Sequence, residues 1–236
     1  MKIVAIRSYG KKVPLKKPYT IAYSTFSDVH MAFLEIELEN GIIGIGSGSP
    51  AEEVVGESTA QTLVNLETAY VHEMKGKDIR HFQQIIYDTH LHFSKYPGTI
   101  AAIDIALHDA FCKHLGISVA SFYGVKKNGL PTSMTIGIKD IQGTLEDATE
   151  YKDLGFKILK IKTGLNIEED IERVVKLKEN FGNHFVIRVD ANQGYTVGQT
   201  KQFIDATSHL GLELIEQPIK VGDEKSIENL STSERK

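Results

Sequence analysis

Between residues 29 and 39 apolar and polar side chains alternate well, most regularly over 34–39, as in a half-buried strand. Asn40-Gly41 then supplies a tight-turn signal before a second run at 42–48. Residues 1–50 therefore predict a small antiparallel sheet. The period changes after that. Apolar positions recur at three- and four-residue spacing over 58–73, 81–93 and 99–115, which predicts helices. In the last of these, Ile103, Ala106, Ala110 and Phe111 mark one face and Gly116 supplies a stop. From about Lys126 strands and helices alternate: strands at 132–138, 157–163, 185–190 and 213–216, helices at 143–154, 167–181 and 197–210, and a further helix near 223–230. Such alternation predicts parallel β/α units, in an open sheet or a barrel. The expected fold is α/β in two parts: an α+β domain over 1–125 and an incomplete (β/α) barrel of about four units over 126–236.

Some eye-catching residues carry bland explanations. Gly44, Gly46 and Gly48 resemble a phosphate loop only superficially, because they lie on and after a hairpin strand rather than between a strand and a helix. Cys112, the only cysteine, excludes an intrachain disulfide and falls in the apolar pattern around Phe111, as a buried small side chain would. His90 and His92 are two apart on a helix and do not face one another, so no histidine is assigned to a metal.

The run Phe-Lys-Ile-Leu-Lys-Ile-Lys-Thr-Gly at 156–164 is different. On a strand, Ile158, Lys160 and Lys162 share one face while Leu159 and Ile161 share the other. Strands between helices in a parallel repeat are normally apolar on both faces, and ammonium groups there are costly to desolvate unless a site uses them. Lysines guarding an exposed edge strand are the competing explanation.

Two acids decide between them. Asp190 ends one strand, with Asn192, Gln193 and Gly194 in the loop that follows, and Glu216 ends the next, followed by Gln217-Pro218. The spacings Lys162–Asp190 and Asp190–Glu216, 28 and 26 residues, are each about one β/α unit. Lys162, Asp190 and Glu216 should therefore reach the same rim, at the C-terminal strand ends where barrels place their sites. Two carboxylates projecting together repel unless a cation lies between them, and hard oxygen ligands suit Mg²⁺. Either acid alone could instead cap the following helix.

These residues carry a family resemblance. Lys160-Ile-Lys162, Asp190-Ala-Asn192-Gln193-Gly194 and Glu216-Gln217-Pro218 resemble the enolase superfamily, in its muconate lactonizing subgroup; the helix Ala101-Ala-Ile-Asp-Ile-Ala-Leu-His-Asp109 is similar to that family's capping domain. The dipeptide epimerases, including those of the L-Ala-D/L-Glu type, are the nearest match, through Thr135 and through Val55-Gly56-Glu57-Ser58 in a capping loop. The resemblance implies a Mg²⁺-dependent isomerase that removes an α-proton through an enediolate. It makes Lys162 the base and Thr135 and Lys160 substrate-binding, with Lys160 depressing the pKa of Lys162. Asp190 and Glu216 become metal ligands, with Asn192 supporting them. Cycloisomerases and o-succinylbenzoate synthases share that framework, and a non-catalytic module that binds a partner is a reading of another class.

The third carboxylate of the family pattern is expected at about position 241 and a second, reprotonating lysine later still. A truncated chain, inactive or nearly so alone, is therefore expected. Its strands at 132–138 and 213–216 would be open edges prone to association, so a homo-oligomer is possible. Glutamate-specific relatives have a capping-loop arginine, which 18–24 lacks; Ser24 stands there. Tyr19, Tyr23 and Phe26 suggest an apolar or mixed dipeptide. The net charge of −4 offers no basic footprint for nucleic acid or an anionic membrane, and no apolar run reaches spanning length. Residues 1–12 lack a signal-peptide core. The expectation is a cytosolic protein with a small-molecule substrate.

Overall fold

β1 (Ile3–Ile21), β2 (Ser24–Leu38) and β3 (Ile43–Gly48) lie side by side in that order in the computed structural model, which describes residues 1–22 and 24–227. The alternation seen in the sequence becomes burial: Ala32, Leu34, Ile36 and Leu38 are fully buried while Phe33, Glu35 and Glu37 take the other face. β2 and β3 pair antiparallel across the Asn40-Gly41 turn, where Gly41 adopts φ 81°.

Helices α1 (Glu52–Val55), α2 (Thr59–Leu66), α3 (Ala69–His72), α4 (Phe82–His92), α5 (Pro97–Leu115) and α6 (Val119–Tyr123) follow. The helix expected over 58–73 is divided. Thr68 takes extended backbone (ψ 155°) and its hydroxyl donates to the Asn65 carbonyl at 2.7 Å, an alternative partner that ends one helix and starts the next. α5 opens with Pro97 at its first turn and closes at Gly116 in the left-handed conformation. Its small-residue face explains the β3 glycines. A Cβ at Gly46 would stand 2.0 Å from the Ala102 carbonyl oxygen, and one at Gly44 2.3 Å from that of Ala106. The strand lies against the helix backbone itself, which only glycine permits. Cys112 is buried within this core.

The second sheet is β4 (Ser133–Ile136), β5 (Ile158–Lys162), β6 (Val186–Asp190) and β7 (Leu214–Glu216), in sequence order and parallel throughout. Between them run α7 (Ile141–Asp153), α8 (Ile167–Phe181) and α9 (Val197–Thr207), started by side-chain caps at Asp140, Asn166 and Thr196. The last expected helix is a short 3-10 turn, Glu224–Ile227, as far as the described residues reach; 228–236 lie outside them. β4 and β7 are the edges of this sheet among the described residues.

The chain forms two compact units, and neither is a simple stretch of sequence. One holds Met1–Leu15 with Asp28–Asn128; the other holds Lys16–Ser27 with the chain from Gly129 onward. The end of β1 and the start of β2 thus belong with the parallel sheet: Ile138 N–H donates to the Thr20 carbonyl at 2.8 Å, and Lys17 pairs with Asp147 and Glu150 of α7. No helix among the described residues is long and apolar enough to cross a membrane.

Candidate active site

The parallel register places the sequence-predicted residues in rows. Lys162 pairs with Asp190, and Asp190 with Glu216; one row earlier, Thr135 pairs with Lys160 and Lys160 with Arg188. On the opposite face Leu159, Ile161, Ile187 and Val189 are fully buried in the core that includes residues of α7, α8 and α9. The lysines therefore occupy the other face. β5 lies between β4 and β6, so protection of an exposed edge does not account for them. Capping does not account for Asp190 either, since Thr196 caps α9.

Five side chains converge. Lys160 Nζ stands 2.8 Å from Asp190 Oδ2 and 2.7 Å from Glu216 Oε2. Lys162 Nζ stands 2.7 Å from the same Asp190 oxygen and donates to Asn192 Oδ1 at 2.9 Å. Asp190 Oδ1 accepts the Asn192 N–H at 3.0 Å, so the aspartate is held by three donors. Asp190 is fully buried, whereas nearly half of the Glu216 side chain is exposed. Burial pushes the Asp190 carboxyl up, but the two lysines and the Asn192 N–H outweigh it and hold it below the usual carboxylate range. Burial likewise pushes Lys160 down, and Asp190 and Glu216 outweigh that, leaving its ammonium above its ordinary value. With the lysines and acids charged, the cluster is neutral.

The loops around it are tightly determined. Asn192, Gln193 and Gln217 adopt positive φ (45°, 65° and 41°), which side chains other than glycine rarely take. Backbone bonds hold them: Gln193 N–H donates to the Gln217 carbonyl at 2.7 Å and Tyr195 N–H to that of Pro218 at 2.9 Å. A Cβ at Gly164 would fall 2.3 Å from the Ala191 carbonyl oxygen, and one at Gly194 2.2 Å from that of Gly164. Only bare backbone fits where these two loops meet.

Sequence reasoning missed what lies behind Lys162. Arg173, 2% exposed, donates to the Lys162 carbonyl at 3.1 Å and pairs with Asp170. Asp170 also accepts the Gly164 N–H and the Tyr195 hydroxyl, each at 2.8 Å. The available signal was position: Asp170 and Arg173 fall among Ile167, Val174 and Leu177, on the buried stripe of α8. Glu57, within the Val55–Ser58 segment that carries part of the resemblance, is bound inside the first unit. It is 1% exposed and accepts from Gly98, Thr99 and Thr62 inside the first unit. Tyr19 and Phe26 stack at 5.4 Å in the second unit, and Ser24 is exposed; Tyr23 lies outside the described residues.

The donor set suits a hard divalent cation in kind. Asp190 and Glu216 present oxygens to one shared cationic nitrogen, so both can face one ion. Among the described residues no group of three or more His, Cys, Asp or Glu comes together, so these supply two of the roughly six oxygens that Mg²⁺ takes.

Comparison with known proteins agrees with this geometry. Residues 3–124 match the mandelate racemase / muconate lactonizing enzyme N-terminal domain, and residues 143–235 the enolase C-terminal domain-like family. The L-Lys-D/L-Arg epimerase of Desulforapulum autotrophicum is 46% identical over 220 residues, 93% of this chain and 62% of that protein. The crystal structure of a dipeptide epimerase from Methylococcus capsulatus complexed with Mg and L-Arg-D-Lys superposes with a TM-score of 0.91 at 34% identity, covering 96% of this chain and 64% of that one. A dipeptide epimerase from Enterococcus faecalis complexed with Mg and L-Leu-L-Tyr gives 0.92 at 32% identity, covering 98% and 65%. The chain thus spans a little under two thirds of the length of the relatives it matches.

Proposed function

Because the chain belongs to the mandelate racemase / muconate lactonizing enzyme family of the enolase superfamily, we propose that it serves a Mg²⁺-dependent dipeptide epimerase, with Lys162 as the base. The observation that carries this is the convergence of Lys160 and Lys162 on Asp190, with Glu216 joined through Lys160, at the C-terminal ends of three neighbouring strands. Asp190 and Glu216 would hold the metal. When bound, it would stabilise negative charge building on the substrate carboxylate as the α-proton leaves.

The chain's own residues do the rest. Lys162, once its own proton has left to solvent, takes the substrate's at Nζ, and the ammonium so re-formed finds an acceptor already in place at Asn192 Oδ1. Lys160, kept protonated, offers charge to the substrate carboxylate, and Thr135, registered beside it, a hydroxyl. Arg173 fixes the backbone carbonyl of Lys162 and so the base's starting point.

For the substrate we propose a dipeptide with a cationic side chain, in line with the epimerases of D. autotrophicum and M. capsulatus. The stacked Tyr19–Phe26 pair offers an aromatic face that suits a cation. An apolar dipeptide is the second reading, supported by the same rings and by the E. faecalis relative. The test is deuterium incorporation at the α-carbon of Lys/Arg and Leu/Tyr dipeptides in D₂O, followed by ¹H NMR. Lys162→Ala should slow exchange by about 10²-fold or more. Undiminished exchange in that variant sinks the base assignment. Exchange confined to Leu/Tyr dipeptides sinks the cationic one.

A further inference from the structure

The Lys160 ammonium sits between the two proposed metal ligands, 2.8 Å from Asp190 Oδ2 and 2.7 Å from Glu216 Oε2. In each carboxylate, one oxygen that a divalent cation could use is thus already in contact with the ammonium. We propose that Lys160 is a built-in competitor for the metal: it holds the two carboxylates together, and a divalent cation enters only by displacing it.

Three observations carry this. The first is geometric. Both pairs are at full contact distance, and a divalent cation about 2.1 Å from the same oxygens would stand close to the ammonium, under strong like-charge repulsion. The second is electrostatic. Two lysines and two carboxylates sum to zero, so a dication added with both ammoniums in place would bring two uncompensated charges into a partly buried site. The third is an asymmetry between the lysines. Lys162 keeps a second acceptor, Asn192 Oδ1, after its aspartate is taken, whereas Asp190 and Glu216, the two carboxylates that Lys160 contacts, are both proposed ligands. Lys160 is therefore the one that moves. Released, it needs a new anion, and the substrate carboxylate beside the metal is that anion. Metal entry thereby arms Lys160 for substrate, and metal and carboxylate should bind with mutual support.

This rests on the metal reading above, and the experiment separates the two. Mn²⁺ is titrated into the 236-residue chain and free Mn²⁺ is followed by electron paramagnetic resonance, for wild type, Lys160→Met, and Lys160→Met combined with Asp190→Asn. Lys160→Met should bind Mn²⁺ about tenfold tighter or more, since one like charge leaves contact distance. Adding Asp190→Asn should abolish that gain. Equal or weaker binding by Lys160→Met overturns the inference while the metal site stands; no binding by any of the three overturns both. A second measurement needs no variant: in ¹⁵N-lysine-labelled wild type, Mg²⁺ should remove one exchange-protected ammonium signal. Retention of every such signal at saturating Mg²⁺ overturns displacement.

Discussion

Glu57→Gln isolates how much one buried carboxylate contributes to the first unit. α5 starts with Pro97, which has no N–H, so Gly98 and Thr99 carry the first free donors of a 19-residue helix. Both point at Glu57: Gly98 N–H to Oε2 at 2.6 Å, Thr99 N–H to Oε1 at 3.0 Å. The Thr99 and Thr62 hydroxyls reach Oε1 at 2.6 and 2.7 Å. In the amide one oxygen becomes NH₂. Either orientation then turns that NH₂ toward a backbone N–H, because the two backbone donors use different oxygens; the hydroxyls can rotate and the N–H groups cannot. One orphaned buried N–H costs about 1–3 kcal/mol. Loss of negative charge at a helix N-terminus costs about 0.3–1 kcal/mol more. The sum predicts about 1–4 kcal/mol. Urea titration should show it as a lower midpoint, and native-state hydrogen exchange as faster exchange at Gly98 and Thr99. A stability within about 0.5 kcal/mol of wild type, with both amides still protected, would refute the reasoning. A raised KM at unchanged stability would return Glu57 to the substrate.

Other outcomes follow from features already described. Gly46→Ala should cost about 3 kcal/mol in urea titration, because the added methyl meets backbone rather than a movable side chain; a loss under about 1 kcal/mol would mean β3 and α5 can separate freely. Arg173→Met should cost about 3–5 kcal/mol by leaving Asp170 buried without its cation, and adding Asp170→Asn should recover part; strictly additive losses would count against the pair. The Tyr195 hydroxyl is held above its ordinary 10 by burial, with the Asp170 carboxylate adding to it. Its contribution to stability is therefore complete below about pH 10 and fades as the pH rises toward the folded value. In alkaline titration at 295 nm, the signal lost in Tyr195→Phe should appear only with unfolding; ionisation of Tyr195 near pH 10 in folded protein would contradict this.

Where a residue's place follows from period and spacing, the sequence already showed it. Lys160, Lys162, Asp190 and Glu216 sit one unit apart on strands whose other face is apolar, and the parallel register turns that spacing into rows. α8 is bounded at Ile167 and Phe181 in both descriptions because its cap and its apolar stripe agree. Other features depend on partners distant in sequence. Nothing local to Gly46 says that a helix more than 50 residues on will press against it. Nothing local to Glu57 says that its acceptors face the start of α5. Residues 16–27 continue the first sheet's strands, so period alone keeps them there; the bond from Ile138 to Thr20 and the Lys17 pairs with Asp147 and Glu150 show that they belong with the second unit.

The meeting of Gly164 and Gly194 bears on how such a protein can change over generations. Where the loops after β5 and β6 touch, each approaches the other's backbone with no side chain between them. The offset between the lysine strand and the aspartate strand is consequently set by main-chain dimensions, which every sequence shares. Drift in neighbouring side chains can reshape the surroundings while the spacing of Lys162 and Asp190 is inherited unchanged. The freedom ends at those two positions, where even an alanine would have to force the strands apart.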